Sequence, residues 1–191
     1  MSAKQKTFFQ EKLIELTELS ASDSNKLFEI AVQKNLKKGE VILMQGQVCK
    51  TIFFVEKGYL RTFLNKDGIE INTDFTFEGS FTTNLKSLRS ASASDTTVLA
   101  GEASTVYEFD KEKLLNLYTE SKGIETFGRN IIEELLVAQE EHSNLFKIYS
   151  PTERYHYLQT SKPELLQRIS LSQLASYLGI ARETLSRIRK K

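Results

Sequence analysis

The sequence has one cysteine, Cys49. That excludes a disulfide framework within the chain and a four-cysteine metal site, and it fits a reducing cytoplasm. Histidine is almost as scarce, with only His142 and His156. No nucleophile–histidine arrangement, paired-carboxylate motif or metal-ligand spacing stands out, so nothing here supports an enzyme. Long apolar runs are missing too. No stretch approaches the ~20 residues of a membrane span, and the N-terminus MSAKQKTFFQEKLIEL lacks the apolar segment of a signal peptide. The expected address is the cytoplasm, with no membrane partner. Charge of one sign is also lacking. The net charge is +1, so any electrostatic argument must be local.

The sequence that is present changes texture along its length. Residues from about 7 to 34 have a helical rhythm, with Phe8, Leu13, Leu16 and Leu19, then Leu27, Ile30 and Ala31. Ser22 and Asp23 are candidate caps between two short helices. From Lys37 the chain turns into short β-rich runs punctuated by glycine. Lys66-Asp67-Gly68, between two such runs, is a hairpin signal. Several short strands at this spacing predict a β-roll, barrel or sandwich.

The third texture is one long helix. Ile124, Phe127, Ile131, Leu135, Ala138, His142, Leu145 and Tyr149 step by 3, 4, 4, 3, 4, 3 and 4 before Pro151 breaks the run. The stripe could pack on the chain's own β domain, with Ile132 and Leu136 off the seam available for that too. The favoured reading is a parallel dimer. Ser150-Pro151-Thr152-Glu153 then reads as a new helix start, and Pro163 marks a further break.

The end of the chain, ISLSQLASYLGIARETLSRIRKK, is the most specific signal. Gly179 can adopt a positive φ and end one helix. Ala175 is small where two helices cross. Leu174, Leu178, Ile180, Leu185 and Ile188 form a shared core. This is a helix-turn-helix pattern. The second helix has a polar face carrying Arg182, Glu183, Thr184, Ser186, Arg187, Arg189 and Lys190. Arginine can contact guanine O6 and N7, and glutamate can accept from cytosine N4, in the major groove of double-stranded DNA. The terminal basic residues can neutralise phosphates.

With these stretches, KKGEVILMQGQ, FFVEKGYLR, KDGIE, FEGSF and SPTERY, the chain resembles the Crp/Fnr family of bacterial transcription regulators over about residues 20–191. The resemblance implies an α+β fold. A β-roll of the cyclic nucleotide-binding, jelly-roll kind, flanked by helices, spans 1–122. A dimerisation helix spans 123–149. An all-α helix-turn-helix domain spans 150–191 and lacks a full wing. By the match Arg182, Glu183 and Arg187 read bases, Thr184, Ser186 and Lys190 add DNA contacts, and Ser170 and Ser172 contact phosphate. The family implies a homodimer on a palindromic operator, with Ile124, Phe127, Ile131, Leu135, Ala138, His142 and Leu145 as its seam. RNA polymerase and a small-molecule effector are further partners it implies. One departure is Ala181, where relatives have a capping Ser or Thr.

Cyclic-nucleotide-binding members carry a Gly-Glu pair for the ribose and an Arg-Ser/Thr-Ala segment for the phosphate. Two alignments remain open. One puts Thr83-Asn84-Leu85 and Ser94-Asp95-Thr96 at those positions. The other uses Arg89-Ser90-Ala91 with Gly79-Ser80. The first is preferred because it needs no insertion before the next strand. In both the ribose carboxylate is missing, which disfavours a cyclic nucleotide. Asn84 and Arg89 remain candidate groups for another ligand. A lone Cys49 excludes the iron–sulfur branch, and haem would have to use Cys49, His142 or His156.

Overall fold

The computed structural model describes residues 7–16 and 19–190, with the side chains of Leu13, Ile14 and Leu16 also outside the described set. Helix α1 (Phe8–Leu16) leads to α2 (Ala21–Ile30). The cap of α2 is Ser20 rather than Ser22 or Asp23. Its Oγ accepts from the Asp23 amide at 3.0 Å, which leaves Asp23 in the first turn, where a carboxylate complements the helix dipole. The helical rhythm also overran. Residues Val32–Leu36 form strand β1, because the antiparallel partner β8 (Ser104–Asp110) captures their backbone groups.

The remaining strands are β2 (Val41–Leu43), β3 (Thr51–Lys57), β4 (Leu60–Lys66), β5 (Ile69–Thr76), β6 (Phe81–Thr82) and β7 (Thr97–Ala100). Helix α3 (Leu85–Ser90) lies between the last two. They form two four-stranded antiparallel sheets, ordered β1-β8-β3-β6 and β2-β7-β4-β5. The β4–β5 hairpin closes through Asp67 and Gly68, both at positive φ (54° and 84°). That is the two-residue turn whose twist matches the strands.

Two helices close the roll, α4 (Lys111–Glu120) and the 27-residue α5 (Lys122–Ile148). Phe127 of α5 meets Phe81 edge-on at 6.0 Å, and Phe81 meets Phe54 at 4.8 Å. Ile124 and Ile131 join the same core. This corrects the seam. Ile124, Phe127, Ile131 and Leu145 are buried within the chain, and Leu135 is half-buried against its core. Of the other seam residues, His142 is half-buried and Ala138 is exposed. Of the two off-seam residues available for packing on the β domain, Ile132 is half-buried, and Leu136 is 56% exposed, next to Val137. The stripe's spacing was read correctly, but periodicity does not say what an apolar stripe packs on. Here much of it packs on the β-roll.

Beyond Tyr149 come α6 (Pro151–Ser161), α7 (Pro163–Arg168), α8 (Leu171–Tyr177) and α9 (Arg182–Ile188). Ser150 and Glu153 cap α6 reciprocally, with Pro151 in the first turn. Among the described residues, no helix is long and apolar enough to cross a membrane.

Candidate nucleic-acid interface and ligand cavity

Helices α8 and α9 form the helix-turn-helix. Ser170 and Gln173 make a capping box at the start of α8. At its end the Gly179 amide donates to Ser176 O at 3.1 Å and the Ile180 amide to Ala175 O at 3.0 Å. With Gly179 at φ +66°, these are the paired bonds of a left-handed helix stop. The Leu178 carbonyl takes Arg154 Nη1 at 2.8 Å. Leu174, Ala175, Leu178 and Leu185 are buried, and Ile180 and Ile188 pack against them. Helix α9 starts at Ala181 without a side-chain cap.

This core fixes the outer face of α9. Arg182, Glu183, Thr184, Arg187 and Lys190 are exposed, and Ser186 is half-buried. Ser172 is exposed. Ser170 is exposed too, but its hydroxyl is engaged with Gln173.

The unit also docks on the β-roll, through residues that sequence reasoning missed. The Asn72 amide donates to Ser176 Oγ at 3.0 Å, and its side chain donates to Gln173 O at 3.1 Å. Arg168 forks onto Glu78 at 2.7 and 2.9 Å and reaches Glu102 at 2.6 Å. Its guanidinium also lies 4.9 Å from the Phe77 ring centre. These contacts hold the Glu78 carboxyl below its ordinary range against the opposing effect of burial, and push Arg168 up. No sequence motif announces a contact between positions 90 residues apart.

Between roll, long helix and C-terminal unit lies a cavity of about 650 Å³. The sheets supply Thr62, Asp74 and Val98, among others. The loops around α3 supply Thr83, Asn84, Asp95 and Thr96. Helix α5 supplies Leu135, Gln139 and His142, and the C-terminal unit supplies Lys162 and Tyr177. Asn84 caps α3, accepting from the Ser87 amide, while its Nδ2 donates to Ser94 Oγ, Asp95 Oδ1 and Thr96 Oγ1. Thr83-Asn84-Leu85 and Ser94-Asp95-Thr96 are thus drawn together, and all but Ser94 line the cavity. Arg89 is a correction. It lies exposed on α3 and is not among the cavity residues. Once Asn84 caps α3, Ser87 and Leu88 turn into the core and Arg89 turns outward.

The His142 ring lies 5.1 Å from that of Tyr177. Burial pushes the His142 imidazole below its ordinary range, with Lys162 adding and Asp74 opposing. Burial pushes the Tyr177 phenol up.

Residues 33–121 match the family model described as the cyclic nucleotide-binding domain. The structure superposes on a CooA mutant from Carboxydothermus hydrogenoformans with a TM-score of 0.70 at 14% identity, covering 99% of this chain and 85% of that one. FixK2 from Bradyrhizobium japonicum gives 0.67 at 21%, covering 84% and 83%. A Crp/Fnr-family transcriptional regulator from Eubacterium rectale gives 0.65 at 16%, covering 90% and 82%. The chain shares the fold of these proteins. No curated protein matches the sequence. The matched domain supplies the cavity's β wall. Its neighbours in fold are regulators rather than enzymes.

Proposed function

We propose that the chain is a dimeric, sequence-specific DNA-binding transcription regulator acting in the cytoplasm. One observation carries the reading: α9 rests on a buried apolar core and turns Arg182, Glu183, Thr184 and Arg187 together to solvent. An exposed helix with that set suits the major groove, where Arg182 and Arg187 read guanine and Glu183 reads cytosine. Ser172 and Lys190 suit phosphate contact. The dimer face is the exposed side of α5 at Leu136 and Val137, replacing the buried stripe. The cavity is the effector site, because it touches the roll, the long helix and α8 at once.

The test is selection of duplexes from a random pool, followed by fluorescence anisotropy on the winner. The enriched sequence should be a palindrome with half-sites about one helical turn apart. Arg187→Ala should lose preference at one base position while dimer mass stays constant. Affinity should fall steeply with salt. No salt-sensitive binding to any duplex would overturn the reading in favour of a ligand-binding module acting through protein contacts.

A further inference from the structure

The cavity's charge runs against an anionic ligand. Among the described residues, its acidic and basic lining residues are Asp74, Asp95 and Lys162, with no arginine. Asp95 is already engaged by Asn84 Nδ2 at 2.9 Å and lies 3.8 Å from Lys86 Nζ. Asp74 accepts from the Thr76 hydroxyl at 2.8 Å, and no ion pair engages it among the described residues.

The surroundings of Asp74 form an ordered corner. It stands opposite Thr62 in the β4–β5 register, and Thr62 stands opposite Val98 on its other side. All three line the cavity, in one row across the sheet. His142 of α5 and Tyr177 of α8 complete the corner, and both feel the Asp74 charge. Two buried polar atoms there have no partner among the described residues, Thr62 Oγ1 and His142 Nε2. Buried polar atoms are nearly always satisfied, so two orphans in one cavity point to a ligand group.

We propose that this corner binds a small organic ammonium ion, with Asp74 as counter-ion and Thr62 Oγ1 and His142 Nε2 as the other acceptors. A primary ammonium has three N–H donors and no acceptor, which suits a carboxylate, a hydroxyl and a neutral imidazole protonated at Nδ1. Leu64, Leu85, Val98 and Leu135 line the remainder and would cover the ligand's hydrocarbon. The inference rests on the cavity being the effector site and specifies the effector's charge. Bound there, an amine would touch β4, β5, α5 and α8 together, and so bias the docking of the helix-turn-helix.

The probes are butylammonium, hexylammonium and phenethylammonium, each beside its matched alcohol, with cyclic AMP as the anionic control. Binding to the full chain is read by saturation-transfer NMR and calorimetry. At least one amine should bind about tenfold or more tighter than its alcohol. Asp74→Asn should abolish that preference, and Thr62→Val should weaken amine binding while the fold is retained. Binding of no amine, equal binding of alcohol and amine, preference for cyclic AMP, or an undiminished amine preference in Asp74→Asn would each overturn the proposal. Salt-dependent duplex binding by amine-free protein is measured alongside. Its failure alone would strike the DNA reading and leave the amine site standing.

Discussion

The His142 ring on the long helix lies tilted against Tyr177 on the supporting helix, centroids 5.1 Å apart at 31°. This pair joins the lid of the β-roll to the helix-turn-helix. It also carries a pH dependence. Burial holds His142 below its ordinary value of 6.5, so the unfolded chain binds its proton first as pH falls. Stability from a neutral His142 is therefore complete above about pH 6.5 and declines below it. Melting temperature measured from about pH 7.5 to about 5.5 should fall further in wild type than in His142→Phe. Equal slopes in the two proteins would exclude His142 as the titrating group.

Arg168 is the charged counterpart of that contact. Its fork onto Glu78 is partly shielded, whereas Glu102 is more open. A double-mutant cycle of Arg168→Ala with Glu78→Gln should give a coupling of about 1–2 kcal/mol by denaturant unfolding. The cycle with Glu102→Gln should give less, since solvent screens that partner. Arg168→Lys should lose most of the Glu78 coupling, because an ammonium cannot fork.

Sequence alone showed a good deal of this. The hairpin at Asp67-Gly68, the cap at Ser150 and the turn at Gly179 were legible because each rests on local backbone chemistry. So was the core of Leu174, Leu178 and Leu185, which one helical period fixes. The partner of the long helix's stripe was not legible. Ile131 and Leu136 are both apolar, and only the tertiary fold decides which is buried. The docking residues Asn72, Glu78 and Arg168 were invisible for the same reason. Arg89 misled because a literal Arg-Ser-Ala resembles a phosphate clamp, whereas the backbone ends α3 there, with Ala91 at φ 52°.

Gly128 lies mid-helix in α5, where alanine would ordinarily gain about 1 kcal/mol in helix propensity. Here a Cβ would run into the hydroxyl and ring of Tyr118 on α4. Gly128→Ala should therefore destabilise by about 1–3 kcal/mol. Pairing it with Tyr118→Leu should recover part of the loss. A stabilised single variant would show that Tyr118 can move aside freely.

Ala181 has the extended backbone of a helix cap, φ −70° and ψ 147°, but no side chain to accept a bond. Ser150 and Ser170 cap their helices from nearly the same angles. Ala181→Ser should add about 1 kcal/mol of stability. Hydrogen exchange should slow at Glu183 and Thr184, whose amides lie in the first turn of α9. Unchanged exchange there would mean that the serine does not cap.

The inversion of the long helix is testable by paired truncations. Ile131 is 2% exposed in the core, and Leu136 is 56% exposed. Ile131→Ala should cost about 2–5 kcal/mol of unfolding free energy. Leu136→Ala should change the stability of a single chain by no more than about 0.5 kcal/mol. If Leu136 and Val137 form the dimer face, changing both to Ser should shift sedimentation equilibrium toward monomer while circular dichroism stays constant. Were the heptad-like stripe the interface, Ile131→Ala would weaken association and leave the monomer's stability intact, the opposite pattern.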